Sequence, residues 1–139
     1  MKHYTQLPSE LETSYDARYV HVRGVGFLSR DMVGATLEQW QDQVAMPGQV
    51  LVDLREVAGY ESGCAELAHE ILQTGLRCGV RRIAFVATSA VLRTATRLVA
   101  SAYGIRVRFF ADELAALRWL EREEPRLHAA PLTAALREA

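Results

Sequence analysis

Acidic and hydroxyl side chains gather in one short stretch of the chain, between Asp53 and Gly63. Asp53 interrupts an apolar run, Glu56 and Glu61 follow it, and Ser62 stands next to the glycine. Paired carboxylates can divide acid and base roles, and a serine can attack a substrate when a base activates it. More often, acids at strand ends and in loops are solvated or cap helices, and a serine before a helix is an N-cap. These residues are therefore candidates for binding before they are candidates for catalysis.

The motifs of common catalytic and metal sites are incomplete in this chain. The four histidines are widely spread. His69 begins a zinc-protease-like pattern, but Gln73 stands where the second histidine ligand is required. The Gly-Val-Gly at residues 24–26 lacks the third glycine of a dinucleotide loop, and neither Gly-Lys-Ser/Thr nor Gly-x-Ser-x-Gly occurs. No histidine partner for Ser62 or Cys64 is evident. We therefore predict no catalytic site, no metal site and no cofactor.

Apolar periodicity predicts an α/β fold with the order β-β-α-β-α-β-α-β-α. The predicted strands span residues 11–15, 19–25, 50–54, 82–87 and 105–110. The predicted helices run from Ser29 to Ala45, from Ser62 to about Cys78, from Ser89 to Gly104 with a left-handed end, and from Asp112 through Leu120. Strands that alternate with helices indicate a mostly parallel, mixed sheet flanked by helices, and the first two strands should form an antiparallel hairpin.

The strand at residues 50–54 should lie at the centre of this sheet. Its side chains are apolar except for Asp53, which is typical of a strand covered on both faces. Asp53 near its carboxyl end would face the crevice where open α/β sheets place their sites. Gly24 and Gly26 are expected to end the preceding strand, and Gly59 to turn the chain before the next helix.

Composition indicates one domain without an unusual surface. The chain has 139 residues, of which 50% are hydrophobic and 24% charged, with a net charge of -1. This balance gives no general case for nucleic acid or an anionic membrane. No apolar run approaches the roughly 20 residues that span a bilayer, and no signal peptide is visible, so we expect a cytoplasmic protein. We divide the chain into a leader (1–10), the domain (11–122) and a tail (123–139) able to form a short helix.

Cys64 and Cys78 fall on one predicted helix, too far apart for a disulfide, and are expected to be small core residues.

Two stretches resemble a known family. From Val52-Asp53-Leu54 to Ser62-Gly63 the chain resembles the STAS domains of bacterial anti-sigma factor antagonists, in which a strand ending in Asp-Leu is followed by Asp-Ser-Ser-Gly at the start of a helix. The order of elements extends this resemblance over residues 13–122. Residues 110–120, Phe-Ala-Asp-Glu-Leu-Ala-Ala-Leu-Arg-Trp-Leu, are similar to the last strand and helix of a SpoIIAA-like branch. The resemblance implies a non-enzymatic regulatory module that binds a protein partner such as a regulatory kinase or a sigma-regulator-like protein.

The loop departs from the family pattern at the switch residue. In the family, the serine directly before the glycine is phosphorylated by a partner kinase. An ungapped count from Asp53 places Ser62 on the first serine and Gly63 on the phosphorylated one, whereas a slide of one residue places Ser62 on the switch position. Either register breaks the motif. We therefore expect Ser62, the one candidate phosphosite, to be a helix cap in a module without the usual serine switch. The expected partner-binding residues are Asp53, Tyr60, Glu61, Ser62, Gly63 and Glu66.

Two other functions fit parts of the same pattern. A domain of this fold could bind a small molecule or lipid between its helices and sheet, and this is the main alternative. A receiver-like phosphoacceptor at Asp53 is a weaker one, because the acidic pair after the first strand and the lysine after the last strand are both missing.

Overall fold

Five strands and the helices between them make up the described part of the chain. The computed structural model describes residues 9–87, 93, 97 and 104–122. Its strands are β1 (Glu10–Tyr15), β2 (Val20–Leu28), β3 (Gln49–Tyr60), β4 (Arg82–Val86) and β5 (Arg106–Phe110). They form one sheet in sequence order, β1-β2-β3-β4-β5, with β3 at the centre. β1 and β2 are antiparallel, and the other neighbours are parallel. The predicted mixed α/β sheet, its opening hairpin and its central strand are confirmed.

β2 and β3 are both longer than the sequence predicts. They remain paired from Val20↔Val50 to Leu28↔Tyr60, whereas β4 accompanies β3 only as far as Asp53. Residues 24–28 and 54–60 therefore form a two-stranded extension beyond the main sheet, which we call the β2–β3 ribbon.

Two predictions about glycines in this ribbon are wrong. Neither Gly24 nor Gly26 ends β2, which continues beyond both and stays paired with β3. Gly24 instead allows close packing, because a Cβ there would lie 2.9 Å from Val57 Cγ2. Gly59 does not turn the chain but pairs with Phe27 inside the strand. The register shifts between β2 and β3 absorb the extra residues of β3, as β-bulges do.

Three helices whose bounds fall within the described residues flank the sheet: α1 (Arg30–Gln41), α2 (Cys64–Arg77) and α3, residues 113–122. Ser29 caps α1 as predicted, because its Oγ accepts a hydrogen bond from the Met32 amide at 3.2 Å. Asp112 likewise accepts from the Ala115 amide at 2.8 Å before α3. α1 ends at Gln41 with Asp42 as its C-cap, earlier than the predicted Ala45.

The sheet separates two apolar clusters. On one side, Trp40 of α1 and Leu72 of α2 pack against β-strand residues such as Val20 and Val50. On the other side, Trp119 and Leu120 of α3 belong to a cluster with strand residues Leu51, Ala84 and Val86. We call these sides the α1–α2 face and the α3 face. Because side chains alternate along a strand, successive residues of β3 contribute to opposite faces.

A buried arginine anchors the carboxyl-terminal part of α3. The Arg82 side chain, 1% exposed, donates from Nη2 to the Leu120 carbonyl at 3.2 Å, and Gln49 Nε2 donates to the same oxygen at 2.7 Å. The guanidinium also lies 5.2 Å from the ring centroid of Trp119. A cation near the end of a helix is favoured by the helix dipole, so these contacts fix α3 over β3 and β4.

Several predicted elements fall wholly or partly outside the described residues. Of the helix predicted from Ser89 to Gly104, Arg93 and Arg97 are helical and exposed, and Gly104 has the left-handed φ of 76° that the sequence predicts. The tail at 123–139 and all but the last two leader residues also lie outside. Glu10, placed in the leader, is the first residue of β1. No described helix has the length and apolar character needed to cross a bilayer.

Candidate functional site

A tight turn connects β3 to α2 and carries the predicted site residues. The Cys64 amide donates to the Glu61 carbonyl at 3.2 Å, which closes a four-residue turn. Gly63 has φ 94° and ψ -10°, the values of the third residue in a type II turn, where glycine is favoured. α2 begins at Cys64, and Gly63 is its N-cap without any side-chain cap. The predicted Ser62 cap is therefore wrong: Ser62 lies in the turn, one residue too early, with its side chain exposed.

Glu61 stabilises the start of α1 and not that of α2. Its Oε1 accepts a hydrogen bond from the Arg30 amide at 2.8 Å, and its own amide donates to the Leu28 carbonyl at 2.8 Å. A carboxylate at a helix N-terminus is favoured by the helix dipole and satisfies a free backbone amide. Arg30 also packs over Gly63, where a Cβ would lie 2.7 Å from Arg30 Cδ. The turn is thus held against the end of β2 and the first turn of α1.

A groove between α1 and α2 adjoins this turn. It encloses about 570 Å³ and contains small residues along its α1 side together with both acidic and basic side chains. Its lining consists of Arg30, Asp31, Gly34, Ala35, Glu38, Gly63, Glu66 and Leu67. Glu66 is exposed in the first turn of α2, and the ring of Tyr60, 50% exposed, ends β3 beside Glu61. The groove and the turn together form a polar, solvent-facing surface.

Asp53 is separated from this surface. It is only 5% exposed and lies on the α3 face, because its neighbours Val52 and Leu54 pack into the cluster on the other face. Arg55 binds it twice, with Nε to Oδ1 at 3.0 Å and Nη2 to Oδ2 at 2.7 Å. These hydrogen bonds lower the pKa of Asp53 below its ordinary value. A buried carboxylate already paired with arginine is poorly placed for phosphoryl transfer, which disfavours the receiver-like alternative.

Two residues that belong to no sequence motif of a site lie close to Asp53. One potential ligand atom each from His21, Asp53 and Glu113 lies within 4.8 Å of the others, and Arg55 Nη2 reaches Glu113 Oε1 at 3.4 Å. The sequence contains a signal for His21. This residue lies between Val20 and Val22 in an alternating strand, so its side chain faces away from the α1–α2 cluster. The proximity of Glu113, the first residue of α3, depends on how that helix packs and has no local signal.

The buried cysteine beside the turn lacks the environment of an activated nucleophile. Cys64 is 6% exposed, and its Sγ lies 3.6 Å from the Leu28 carbonyl oxygen as a donor. Burial raises the pKa of the Cys64 thiol, which disfavours the reactive thiolate. The geometry of the turn and groove thus suits binding.

Comparisons with known proteins agree with this architecture. The family model described as SpoIIAA-like matches residues 19–121. An uncharacterised protein with a SpoIIAA-like fold from Shewanella loihica PV-4 superposes with a TM-score of 0.61 at 22% identity, over 81% of this chain and 95% of that one. The comparison with curated proteins gives no match.

Solved anti-sigma factor antagonists have the same fold. Unphosphorylated SpoIIAA superposes with a TM-score of 0.57 at 15% identity, over 83% of this chain and 99% of that one. The phosphorylated form of SpoIIAA from Bacillus gives 0.57 at 17% identity, over 80% and 98%. At these identities the likeness establishes the fold. The family model matches most of this chain, residues 19–121, and the chain therefore belongs to the SpoIIAA-like family.

Proposed function

We propose that this protein is a non-enzymatic regulatory module of the bacterial cytoplasm that binds a protein partner, either a regulatory kinase or a sigma-regulator-like protein. The contact residues are Tyr60, Glu61, Ser62, Gly63 and Glu66, which we call the Tyr60–Glu66 surface. The observation that carries the proposal is the conformation of this surface. Its backbone is held by Glu61 and Gly63 against α1, while the side chains of Tyr60, Ser62 and Glu66 are exposed.

A held loop with exposed side chains suits protein recognition. A preorganised surface loses less conformational entropy on binding than a mobile one does. Tyrosine is among the residues that most often dominate binding energy at protein interfaces, and Tyr60 offers half of its surface. Solved relatives described as anti-sigma factor antagonists share the fold, which supports a regulatory role.

The chemical character of the groove favours a protein partner over a lipid. Its charged lining residues are Arg30, Asp31, Glu38 and Glu66, which leave an excess of negative charge. An apolar ligand would leave such groups desolvated without partners, which is costly. A basic, polar segment of a partner protein would match them.

We further propose that partner binding does not depend on phosphorylation of Ser62. The residue directly before α2 is Gly63, in a left-handed conformation, and it has no hydroxyl to modify. The carboxylate of Glu61 already supplies a permanent negative charge close to Ser62, at the start of α1.

The binding proposal is tested by affinity purification from the native cells followed by native mass spectrometry. We expect one protein to be retained in a defined complex and to be lost with Tyr60→Ala. The matched control is Phe27→Ala, because Phe27 is 51% exposed and lies one position away in the paired strand. Equal retention by both variants, or a bound lipid mass in place of a protein, would contradict the proposal.

The independence from phosphorylation is tested with the same complex. Ser62→Ala and Ser62→Asp should retain the partner equally, since the proposed binding depends neither on a phosphate nor on a hydroxyl at this position. Release by Ser62→Asp alone, or phosphoserine at this position in protein from cells, would restore a serine switch.

A further inference from the structure

Three side chains from three elements converge on the α3 face of the sheet. His21 comes from β2, Asp53 from β3 and Glu113 from the start of α3. One nitrogen of the histidine and one oxygen of each carboxylate lie within 4.8 Å of one another. An imidazole with two carboxylates is a donor set that Zn²⁺ and related divalent transition ions accept.

The imidazole of His21 has one nitrogen without a protein partner in the described part of the chain. Its Nε2 is inaccessible to solvent and has no hydrogen-bond partner among the described residues. Buried polar atoms are nearly always paired, so an unpaired one calls for an explanation. A ligand that accepts the lone pair of the imidazole would satisfy it.

The positive charge at this cluster is supplied by Arg55. Its guanidinium binds Asp53 through two hydrogen bonds and approaches Glu113 at 3.4 Å, so its single positive charge offsets only one of the two carboxylate charges. It leaves His21 Nε2 unpaired. The side chain of Arg55 is 39% exposed, whereas that of Asp53 is 7% exposed. The guanidinium therefore has access to solvent that the Asp53 carboxylate lacks, which is what an exchange of the arginine for another cation would require.

We propose that His21, Asp53 and Glu113 form a site for one divalent transition-metal ion, which binds in exchange for Arg55. Metal–ligand bonds of about 2.0 to 2.2 Å require the three side chains to close around the ion. The departure of Arg55 frees the carboxylates for this movement. The nitrogen ligand favours Zn²⁺ over Mg²⁺, which prefers oxygen ligands and retains its waters.

The bound ion would link β2, β3 and α3 at one point. Because a ligand that binds only the folded state stabilises it, Zn²⁺ should raise the melting temperature of the protein. This inference does not depend on the Tyr60–Glu66 surface, since Asp53 lies on the other face of the sheet.

The test is isothermal titration calorimetry of ZnCl₂ into the full, untagged chain, with MgCl₂ as a second titrant. We expect one Zn²⁺ per chain. Affinity should fall at least about tenfold in His21→Gln and in Glu113→Gln, and rise at least about tenfold in Arg55→Gln, because the competing cation is gone. His69→Gln, a change at a histidine far along the chain on α2, is the matched control and should bind as the natural protein does. Circular dichroism melts establish that each variant is folded.

The effects of His21→Gln and of Arg55→Gln on Zn²⁺ binding decide the proposal. One equivalent of Zn²⁺ that is lost with His21→Gln and tightened by Arg55→Gln supports it. Absence of binding by the natural protein, binding that His21→Gln leaves intact, or binding that Arg55→Gln does not tighten overturns it. If His21→Gln fails to fold, the Glu113→Gln and Arg55→Gln titrations still decide.

Discussion

At the scale of single residues, two serines close to helix starts differ in what their hydroxyl groups do. The Ser29 hydroxyl accepts a hydrogen bond from the Met32 amide and caps α1. The Ser62 hydroxyl is exposed in the turn before α2, whose N-cap is Gly63. The difference of one residue in position decides whether a serine stabilises a helix or remains available for contact with another molecule.

We expect Ser29→Ala to lower the free energy of unfolding by about 1 kcal/mol, because it removes a helix cap. Ser62→Ala should change that free energy by less than about 0.5 kcal/mol, as exposed substitutions usually do. Urea denaturation of both variants measures the two effects under the same conditions. Equal losses in the two variants would mean that Ser62 also acts as a cap.

The Asp53–Arg55 pair makes stability depend on pH. Its hydrogen bonds lower the pKa of Asp53 in the folded protein. A carboxyl of this kind stabilises the fold above its unfolded pKa, about 3.9, and loses that contribution as the pH falls through its folded pKa. Asp53→Asn should therefore cost about 1 to 2 kcal/mol at pH 7, a value reduced because Arg55 is partly exposed. The cost should shrink below pH 4.

Urea denaturation of the natural protein and Asp53→Asn at pH 7, 5 and 3 checks this dependence. Glu56→Gln is the control, since Glu56 pairs with Arg23 at 3.0 Å where both side chains are largely exposed. We expect a smaller loss for the control. A deficit of Asp53→Asn that stays constant from pH 7 to 3 would show that the loss is not electrostatic.

At the scale of elements, the contact between α1 and α2 depends on a glycine within α2. A Cβ at Gly75 would lie 3.0 Å from Trp40 Cζ3 and 3.4 Å from Val80 Cγ2. Trp40 is 2% exposed and has little room to move. Gly34 in α1 presents the opposite case, because nothing lies within 4 Å of its Cβ position. The same residue type thus serves close helix packing in α2 and has no packing role in α1.

Alanine at the two positions should therefore have effects of opposite sign. Alanine is favoured over glycine inside a helix by about 0.5 to 1 kcal/mol, so Gly34→Ala should raise the melting temperature. In Gly75→Ala the crowding of Trp40 should exceed this gain and destabilise the protein by about 1 kcal/mol or more. Differential scanning calorimetry compares the pair. A stabilising Gly75→Ala would mean that α2 can shift away from α1 at little cost.

At the scale of the whole molecule, β3 holds the two apolar clusters together. Leu51 is fully buried on the α3 face, and Val50 is fully buried on the α1–α2 face. Buried Arg82 then ties α3 to the sheet through the Leu120 carbonyl. Both layers of helix therefore depend on the same central strand.

An uncompensated charge at the centre of β3 should unfold the domain. Leu51→Asp places a carboxylate among apolar groups without a partner, which costs several kcal/mol, comparable to the stability of a domain. Ala58→Asp, in the exposed part of the same strand, is the control and should remain folded. Circular dichroism and thermal melting compare the two. A cooperative melt of Leu51→Asp at the natural temperature would contradict the central position of this strand.

The sequence by itself determines the features of this protein that arise from near neighbours. Such features can be read directly, because each depends on residues within one strand or one helical turn. They are the alternation along β2, the apolar run of β3, and the caps Ser29 and Asp112. The family resemblance also follows from short stretches, and the SpoIIAA-like family model matches residues 19–121.

Only the tertiary structure decides the contacts that join distant positions. Glu61 caps α1 because the turn meets Arg30, which is 31 positions away, and Arg55 reaches Glu113 across 58 positions. The ribbon extends past Gly24 and Gly59 because β2 and β3 satisfy each other's backbone groups there. Asp53 joins His21 and not the Tyr60–Glu66 surface, because the pleat of β3 turns it to the α3 face. Alternation can indicate the face on which a strand residue lies, but its partners on other elements follow from packing, which no local pattern specifies.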